Sequence, residues 1–237
     1  MIYTTDNGAH MNSWPDGAMT PFRSEKNTNW EGAYRVPAMV RWPGHIKAGQ
    51  VSNEIVAGLD WFPTLLAAAG DPGVKERLLT GWATGGRTYK VHLDGYNVLP
   101  YLEGKEEKSP RKEFFYFNDD GDLVAVRYEK WKQVFCEQRA TGTLRVWAEP
   151  FTCLRVPKLF NLRMDPYERA DITSDQYWDW IATNAYLIGI ATLKASVFLQ
   201  TFVAYPPSQR PASFSVDKVR EQVDEKIDES FKQRGLE

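Results

Sequence analysis

The spacing of apolar and polar positions changes near residue 110 and divides the chain into two textures. Met1-Ile-Tyr-Thr-Thr5 is the β-branched and aromatic run of a strand, and it stops abruptly at Asp6-Asn7-Gly8. Residues 9–34 are rich in Asn, Gly, Pro, Ser and Thr and almost without periodicity. They predict a long irregular loop, a feature that in compact domains is usually functional. Val36-Pro-Ala-Met-Val-Arg-Trp42 predicts a second, buried strand, with Pro37 near its start, where a missing N–H does least harm, and Pro43-Gly44 as its end. Residues 60–69 predict a helix with Asp60 as N-cap, Pro63 in the first turn and Gly70 as the stop. Beyond residue 110 the pattern shortens. Phe114–Phe117, Leu123–Arg127 and Trp131–Phe135 read as strands, with Asn118-Asp-Asp-Gly121 as a hairpin turn and Leu159–Leu162 as a fourth strand. A helix near residues 177–204 and an amphipathic helix over 216–232 would back this small antiparallel sheet. The expected division is 1–110 for an α/β part and 111–237 for the antiparallel part, with Pro110-Arg111 as the boundary.

Composition narrows the classes. The 237 residues are 43% hydrophobic and 25% charged, enough to bury a core, and the net charge of -2 comes from 29 basic and 31 acidic residues with no long block of either sign. No general attraction to nucleic acid or to an anionic membrane is implied. Residues 185–205 are apolar nearly all round, but Lys194 interrupts them near the centre, where a membrane would charge about 2.5 to 3.5 kcal/mol for a lysine. The segment is read as a buried helix and not a span, with a contact surface as the second reading. Cys136 and Cys153 lie too far apart for a C-x-x-C pair and are read as buried thiols, a single disulfide being the alternative in an exported protein. No basic stretch leading into an apolar one precedes the first strand, so no secretory signal is expected in this sequence.

Asp6 and Asn7 place a carboxylate and a carboxamide side by side at a strand tip, oxygen donors of the kind that Ca²⁺ or Mg²⁺ takes. Taken alone, Asp6-Asn7-Gly8 is equally a turn. In the loop that follows, Lys26 is the candidate anion contact, since a compact ammonium with three donors can hold an oxygen of a tetrahedral sulfate or phosphate. Glu31 and Arg35 are expected to pair and brace the loop, and Trp30 and Tyr34 to pack it down.

The order Thr-Thr-Asp-Asn-Gly8, then Glu-Lys-Asn-Thr-Asn-Trp-Glu-Gly-Ala-Tyr-Arg-Val-Pro-Ala-Met-Val-Arg-Trp-Pro-Gly44, resembles the C-terminal half of sulfatases, bacterial arylsulfatases in particular. Asp94-Gly-Tyr-Asn-Val-Leu-Pro-Tyr-Leu102, Ala125-Val-Arg127 before Trp131-Lys132, and Leu159-Phe-Asn-Leu-Arg-Met-Asp-Pro-Tyr-Glu168 continue the likeness over essentially the whole chain. The resemblance implies a partial alkaline-phosphatase-like α/β fold, the end of a large mixed sheet plus a small C-terminal antiparallel sheet with packed helices. It implies Asp6 and Asn7 as ligands of a calcium ion, with magnesium the alternative, and Lys26 as the catalytic lysine on the sulfate of a small sulfate ester. His10 stands near enough to approach the substrate, or to serve only structurally. The family's formylglycine nucleophile arises from a C/S-x-P/A-x-R sequence, which neither Cys136-Glu-Gln-Arg-Ala nor Cys153-Leu-Arg-Val-Pro fits. The chain is therefore expected to be a C-terminal fragment, nearly inactive alone, of a periplasmic or secreted enzyme. Two alternatives remain open: a phosphate or phosphonate ester hydrolase of the same superfamily, and a non-catalytic module that self-associates through surfaces left exposed.

Overall fold

A computed structural model describes residues 1–11 and 19–207; the amphipathic stretch 216–232 lies outside them. Strands β1 (Ile2–Thr4) and β2 (Ala38–Val40) form an antiparallel ribbon in which Ile2 faces Val40 and Thr4 faces Ala38. β2 was expected to be buried, yet Met39 is 60% exposed. A ribbon of two strands has no third strand beside it, and nothing among the described residues covers its outer face.

The short helix α1 (Glu31–Tyr34) ends the loop, and α2 (Trp61–Ala68) follows where the sequence predicts a helix. Asp60 stands at the start of α2, but its carboxylate does not cap it. It accepts instead from Arg111 Nε at 2.8 Å and Nη2 at 2.7 Å, and from the backbone N–H groups of Tyr96 and Ala57. This buried fork-on-carboxylate pair ties the helix to the residue that opens the antiparallel part. Helix α3 (Val74–Thr80), hairpin strands β3 (Trp82–Thr84) and β4 (Arg87–Tyr89), and α4 (Leu99–Leu102) complete this half. Gly85 and Gly86 supply the two left-handed positions that a two-residue hairpin turn requires.

The second half is a four-stranded antiparallel meander in the order β5-β6-β7-β8, made of Glu113–Phe117, Leu123–Tyr128, Trp131–Glu137 and Thr152–Asn161. Val124, Val134, Leu159 and Phe160 form its core with Tyr177 and Ile181 of α7 (Tyr177–Thr183), which follows the short helix α6 (Ala170–Thr173). Trp30 belongs to the same cluster, 2% exposed and edge-on to Phe160 at 5.9 Å. The loop of the first half is thus anchored in the core of the second.

Two expectations are corrected here. Cys136 and Cys153 are not free thiols: the register of β7 and β8 sets them opposite each other, their Cα atoms are 3.9 Å apart, and they form a disulfide. It closes a loop that carries the short helix α5 (Arg145–Ala148). The apolar segment near the C-terminus is helix α8 (Tyr186–Ala204), and it is not buried. A narrow stripe packs, with Ala191 and Ala195 buried and Phe198 stacked on Phe115, while Leu193 is 65% and Val203 87% exposed. A helix resting on one sheet can bury only one side, and this one is apolar on the others too. By length and composition alone α8 could cross a membrane; Lys194 is placed over the Tyr128 ring at 4.8 Å.

Cross-linking a loop of this length removes about 3 kcal/mol of chain entropy from the unfolded state. Reduction with dithiothreitol, or Cys153→Ser, is expected to lower the unfolding free energy by about that amount in urea titrations.

Candidate active site

β1 delivers Asp6 and Asn7 to the floor of an open groove that Lys26 also lines. Asp6 is fully exposed, and its carboxyl lies below the usual range, first because the Asn7 amide donates to it; burial opposes this slightly, and Thr5 and the charge of Lys26 add to it. Asn7 Oδ1 is buried and has no hydrogen-bond partner among the described residues. Just beyond, Gly8 N donates to Ala33 O at 2.7 Å, and a Cβ at Gly8 would sit 1.8 Å from Gly32 O. Gly32 is equally confined, with Ser24 O 2.2 Å from its would-be Cβ. Glycine is required here because two backbones touch, not to make a turn.

Lys26 is half-buried, and its backbone N–H donates to Ala9 O at 2.9 Å. The loop around it is strained: Ser24 and Asn27 both lie in the left-handed region, at φ 62° and 74°. Glu25, buried between them, accepts from Met11 N at 2.8 Å. No ion pair to Lys26 is seen among the described residues. His10 Nε2 accepts from Trp147 Nε1 at 3.2 Å, which puts the ring proton on Nδ1.

Beneath this loop lies a buried charge network. Lys132 Nζ reaches Glu168 Oε1 at 2.7 Å, Asn29 O at 2.8 Å and Glu31 Oε1 at 3.2 Å. Glu31 Oε1 also accepts from Tyr116 at 2.7 Å, its Oε2 faces Arg35 at 3.5 Å and Arg127 at 3.7 Å, and its N–H donates to Glu168 Oε2 at 2.7 Å. The Glu31–Arg35 pair and the packing of Trp30 and Tyr34 are as expected from the sequence, Tyr34 donating to Phe117 O at 2.7 Å. Burial acts to raise the Glu31 carboxyl, but Lys132, Arg127, Tyr116 and Arg35 together bring it below its ordinary value. At Glu168 burial wins: Lys132 pulls down, the neighbouring Glu31 charge pushes up, and the carboxyl lies above its ordinary value.

Two family models match the chain: the sulfatase model over residues 1–71 and the C-terminal region of aryl-sulfatase over residues 109–197, together more than half of its length. The chain belongs to the sulfatase family. Arylsulfatase A from Homo sapiens is 34% identical over 221 residues, covering 88% of this chain and 40% of that protein. N-acetylgalactosamine-6-sulfatase from Homo sapiens is 32% identical over 188 residues, covering 71% and 32%. Among solved structures, the PsFucS1 sulfatase from Pseudoalteromonas sp. superposes with a TM-score of 0.66 at 30% identity, covering 88% of this chain and 38% of that one. The fold is accordingly the mixed α/β, alkaline-phosphatase-like fold of sulfatases, with its small antiparallel sheet. The chain spans about a third of the length of the curated relatives it matches.

Within this sulfatase chain, Asp6, Asn7, His10 and Lys26 come together on one loop system. Among the described residues no group of three His, Cys, Asp or Glu is placed to hold a metal ion. Lys132, Glu168 and Trp147 were not singled out from the sequence. Lys132 and Glu168 do close two of the motifs that carry the family resemblance, which was a signal for them; an exposed tryptophan in a loop gives none.

The network sets the acid behaviour. Glu31, with a depressed carboxyl, contributes stability that is complete above its unfolded value of 4.5 and is lost as pH falls through the folded one. Glu168 runs the other way: its contribution is complete below 4.5 and is lost as pH rises through its raised folded value. Glu31→Gln is expected to lower stability at neutral pH by about 1 to 3 kcal/mol, because it removes one of the two carboxylates on buried Lys132 and the charge that faces Arg127 and Arg35 while Glu168 stays on the lysine, and to flatten the acid-side loss. Urea unfolding followed from pH 7 down to about pH 3 measures both.

Proposed function

We propose that this chain is the part of a sulfate-ester hydrolase that supplies one calcium-binding pair and the sulfate-contacting lysine. The observation that carries the reading is the convergence of Asp6, Asn7 and Lys26 on one groove, in a sulfatase chain, with the charge of Lys26 paired to no described carboxylate. The donor set fits a hard cation. Asn7 Oδ1 is buried without a partner among the described residues, so turning the amide toward a bound ion forfeits no hydrogen bond to them at that oxygen, although the contact of its N–H with Asp6 is given up. Calcium takes six to eight oxygens, so Asp6 and Asn7 would be completed by donors from another segment of the enzyme. When bound, the ion would supply Lewis-acid polarisation of the sulfate oxygens.

Lys26 would place a fixed positive charge against a sulfate oxygen and stabilise the negative charge that shifts onto the group as the ester S–O bond breaks. Its backbone bond to Ala9 and the strained loop around it fix the main chain from which the ammonium is presented. A formylglycine nucleophile, which this sequence does not encode by the C/S-x-P/A-x-R pattern, would come from elsewhere in the enzyme. The Cys136–Cys153 disulfide supports an oxidising compartment, periplasmic or secreted.

The test joins this chain to a sulfatase N-terminal segment that carries the nucleophile and follows p-nitrophenyl sulfate turnover. Lys26→Ala is expected to reduce kcat by about 10²-fold or more, and unchanged turnover would remove Lys26 from the site. Chelation should abolish activity and added Ca²⁺ restore it, with Asp6→Ala raising the concentration of Ca²⁺ needed.

A further inference from the structure

Trp147 is a large aromatic side chain left 51% exposed on a loop that is held at Gln138, Gly142 and Val146. Between its disulfide-linked ends, the loop is bound to the residues that follow Lys26. Trp30 Nε1 donates to Gln138 O at 3.2 Å, and Gln138 N donates to Asn29 Oδ1 at 2.9 Å. The Gln138 amide in turn donates to Val146 O and to Glu149 O, the two carbonyls that bracket Trp147. Val146 is buried, and Gly142 lies so close to Met11 and Glu25 that an added Cβ would be 3.3 Å from Met11 Cε. Half of an indole kept in water forgoes burial that a loop this well ordered had the means to provide.

Its position explains the exposure. Lys26 is bonded to Ala9, and Trp147 to His10, the next residue. The Lys26 backbone and the Trp147 indole therefore flank the same turn, and both residues line the groove that holds Asp6 and Asn7, with Ala148 and Phe151 continuing the apolar side. We propose that Trp147 determines specificity in this sulfatase by packing its ring against a flat aromatic leaving group while the sulfate sits at Lys26. This rests on the sulfate-ester reading above and adds to it the wall that holds the organic part of the ester. The hydrogen bond to His10 fixes the plane of the indole, and the disulfide keeps the loop over the groove. Offset or edge-on aromatic packing of this kind favours flat rings.

The experiment uses the chain joined to a sulfatase N-terminal segment and compares wild type, Trp147→Ala and Trp147→Phe. It measures kcat and KM for p-nitrophenyl sulfate, and binding of 4-nitrophenol, which carries the ring without the sulfate. Trp147→Ala is expected to raise both KM and the dissociation constant of 4-nitrophenol about 5- to 10-fold with kcat within about twofold. Trp147→Phe, which keeps a ring but loses the bond to His10, should recover most of that loss. Unchanged KM and 4-nitrophenol binding in Trp147→Ala overturns the proposal. So does a fall in kcat at constant KM that Trp147→Phe does not repair, because that pattern means Trp147 acts only through His10. A wild-type protein that binds 4-nitrophenol in a Trp147-dependent way but hydrolyses no sulfate ester would retain the ring site and remove the sulfatase reading. Loss of both removes both.

Discussion

Everything in this molecule that bears on chemistry depends on one buried lysine. Lys132 sits in the middle of the antiparallel sheet with no exposure to water, and each of its three contacts leads away from that sheet. Two are carboxylates, Glu31 on the helix that closes the active-site loop and Glu168 in the turn after β8; the third is the carbonyl of Asn29. A lone ammonium could not be buried this deeply, because transferring it from water costs several kcal/mol even after relaxation. Two carboxylates around one lysine leave an excess negative charge, which Arg127 and Arg35 offset at Glu31; at Glu168 burial, with the Glu31 charge adding to it, raises the carboxyl. Such a cluster stabilises the fold only when complete, so its energetic effect is to penalise every arrangement in which loop and sheet are separated.

That constraint lets the loop keep a conformation it would not adopt alone. Ser24 and Asn27 in the left-handed region, and the contact of Gly8 with Gly32, are local costs on either side of Lys26. They are offset at a distance: Trp30 enters the sheet core, Arg23 lies over the Trp30 ring at 3.5 Å and donates to Glu168 O and Asp171, and Lys132 holds Asn29. The loop is irregular in sequence and fixed in space, as preorganised electrostatics demands of a group meant to meet developing charge.

How far the sequence could be read follows from the range of the forces involved. The first three strands of the meander, the Asn118–Gly121 turn and helix α2 follow from local propensity and turn chemistry, and they appear where those place them; the fourth strand, expected over Leu159–Leu162, begins already at Thr152. The Glu31–Arg35 pair is legible too, since residues four apart on a helix face each other. The role of Asp60 is not: its position suggests a cap, and only the fold brings Arg111 within 2.7 Å. The disulfide has the same origin, because register decides whether residues 17 apart meet. The exposure of α8 escapes composition altogether, for an apolar helix announces the wish for a partner and not whether one is present. Asp6, Asn7 and Lys26, singled out by their motif, do line one groove, whereas Trp147 reaches that groove only through a contact with a residue 137 positions away in sequence.

The two halves therefore do different work at one groove. The first contributes the polar groups, Asp6, Asn7 and Lys26, on a loop whose geometry is imposed from outside. The second contributes the frame, through Lys132 and Glu168, and one element that reaches past the frame to the groove, the disulfide-closed loop with Trp147. Asn29 and Trp30 are the shared fulcrum: Asn29 O binds Lys132 while its side chain and the Trp30 indole bind Gln138 of the closed loop. A displacement of the sheet would thus move the loop of Lys26 and the loop of Trp147 together. Changes inside the closed loop, such as at Leu144 or Trp147, would leave the contacts of Lys132 in place, since none of them runs through those residues. On the reading proposed above, that arrangement separates what would have to stay constant, the charge that meets the sulfate, from what could vary, the surface that meets the rest of the ester.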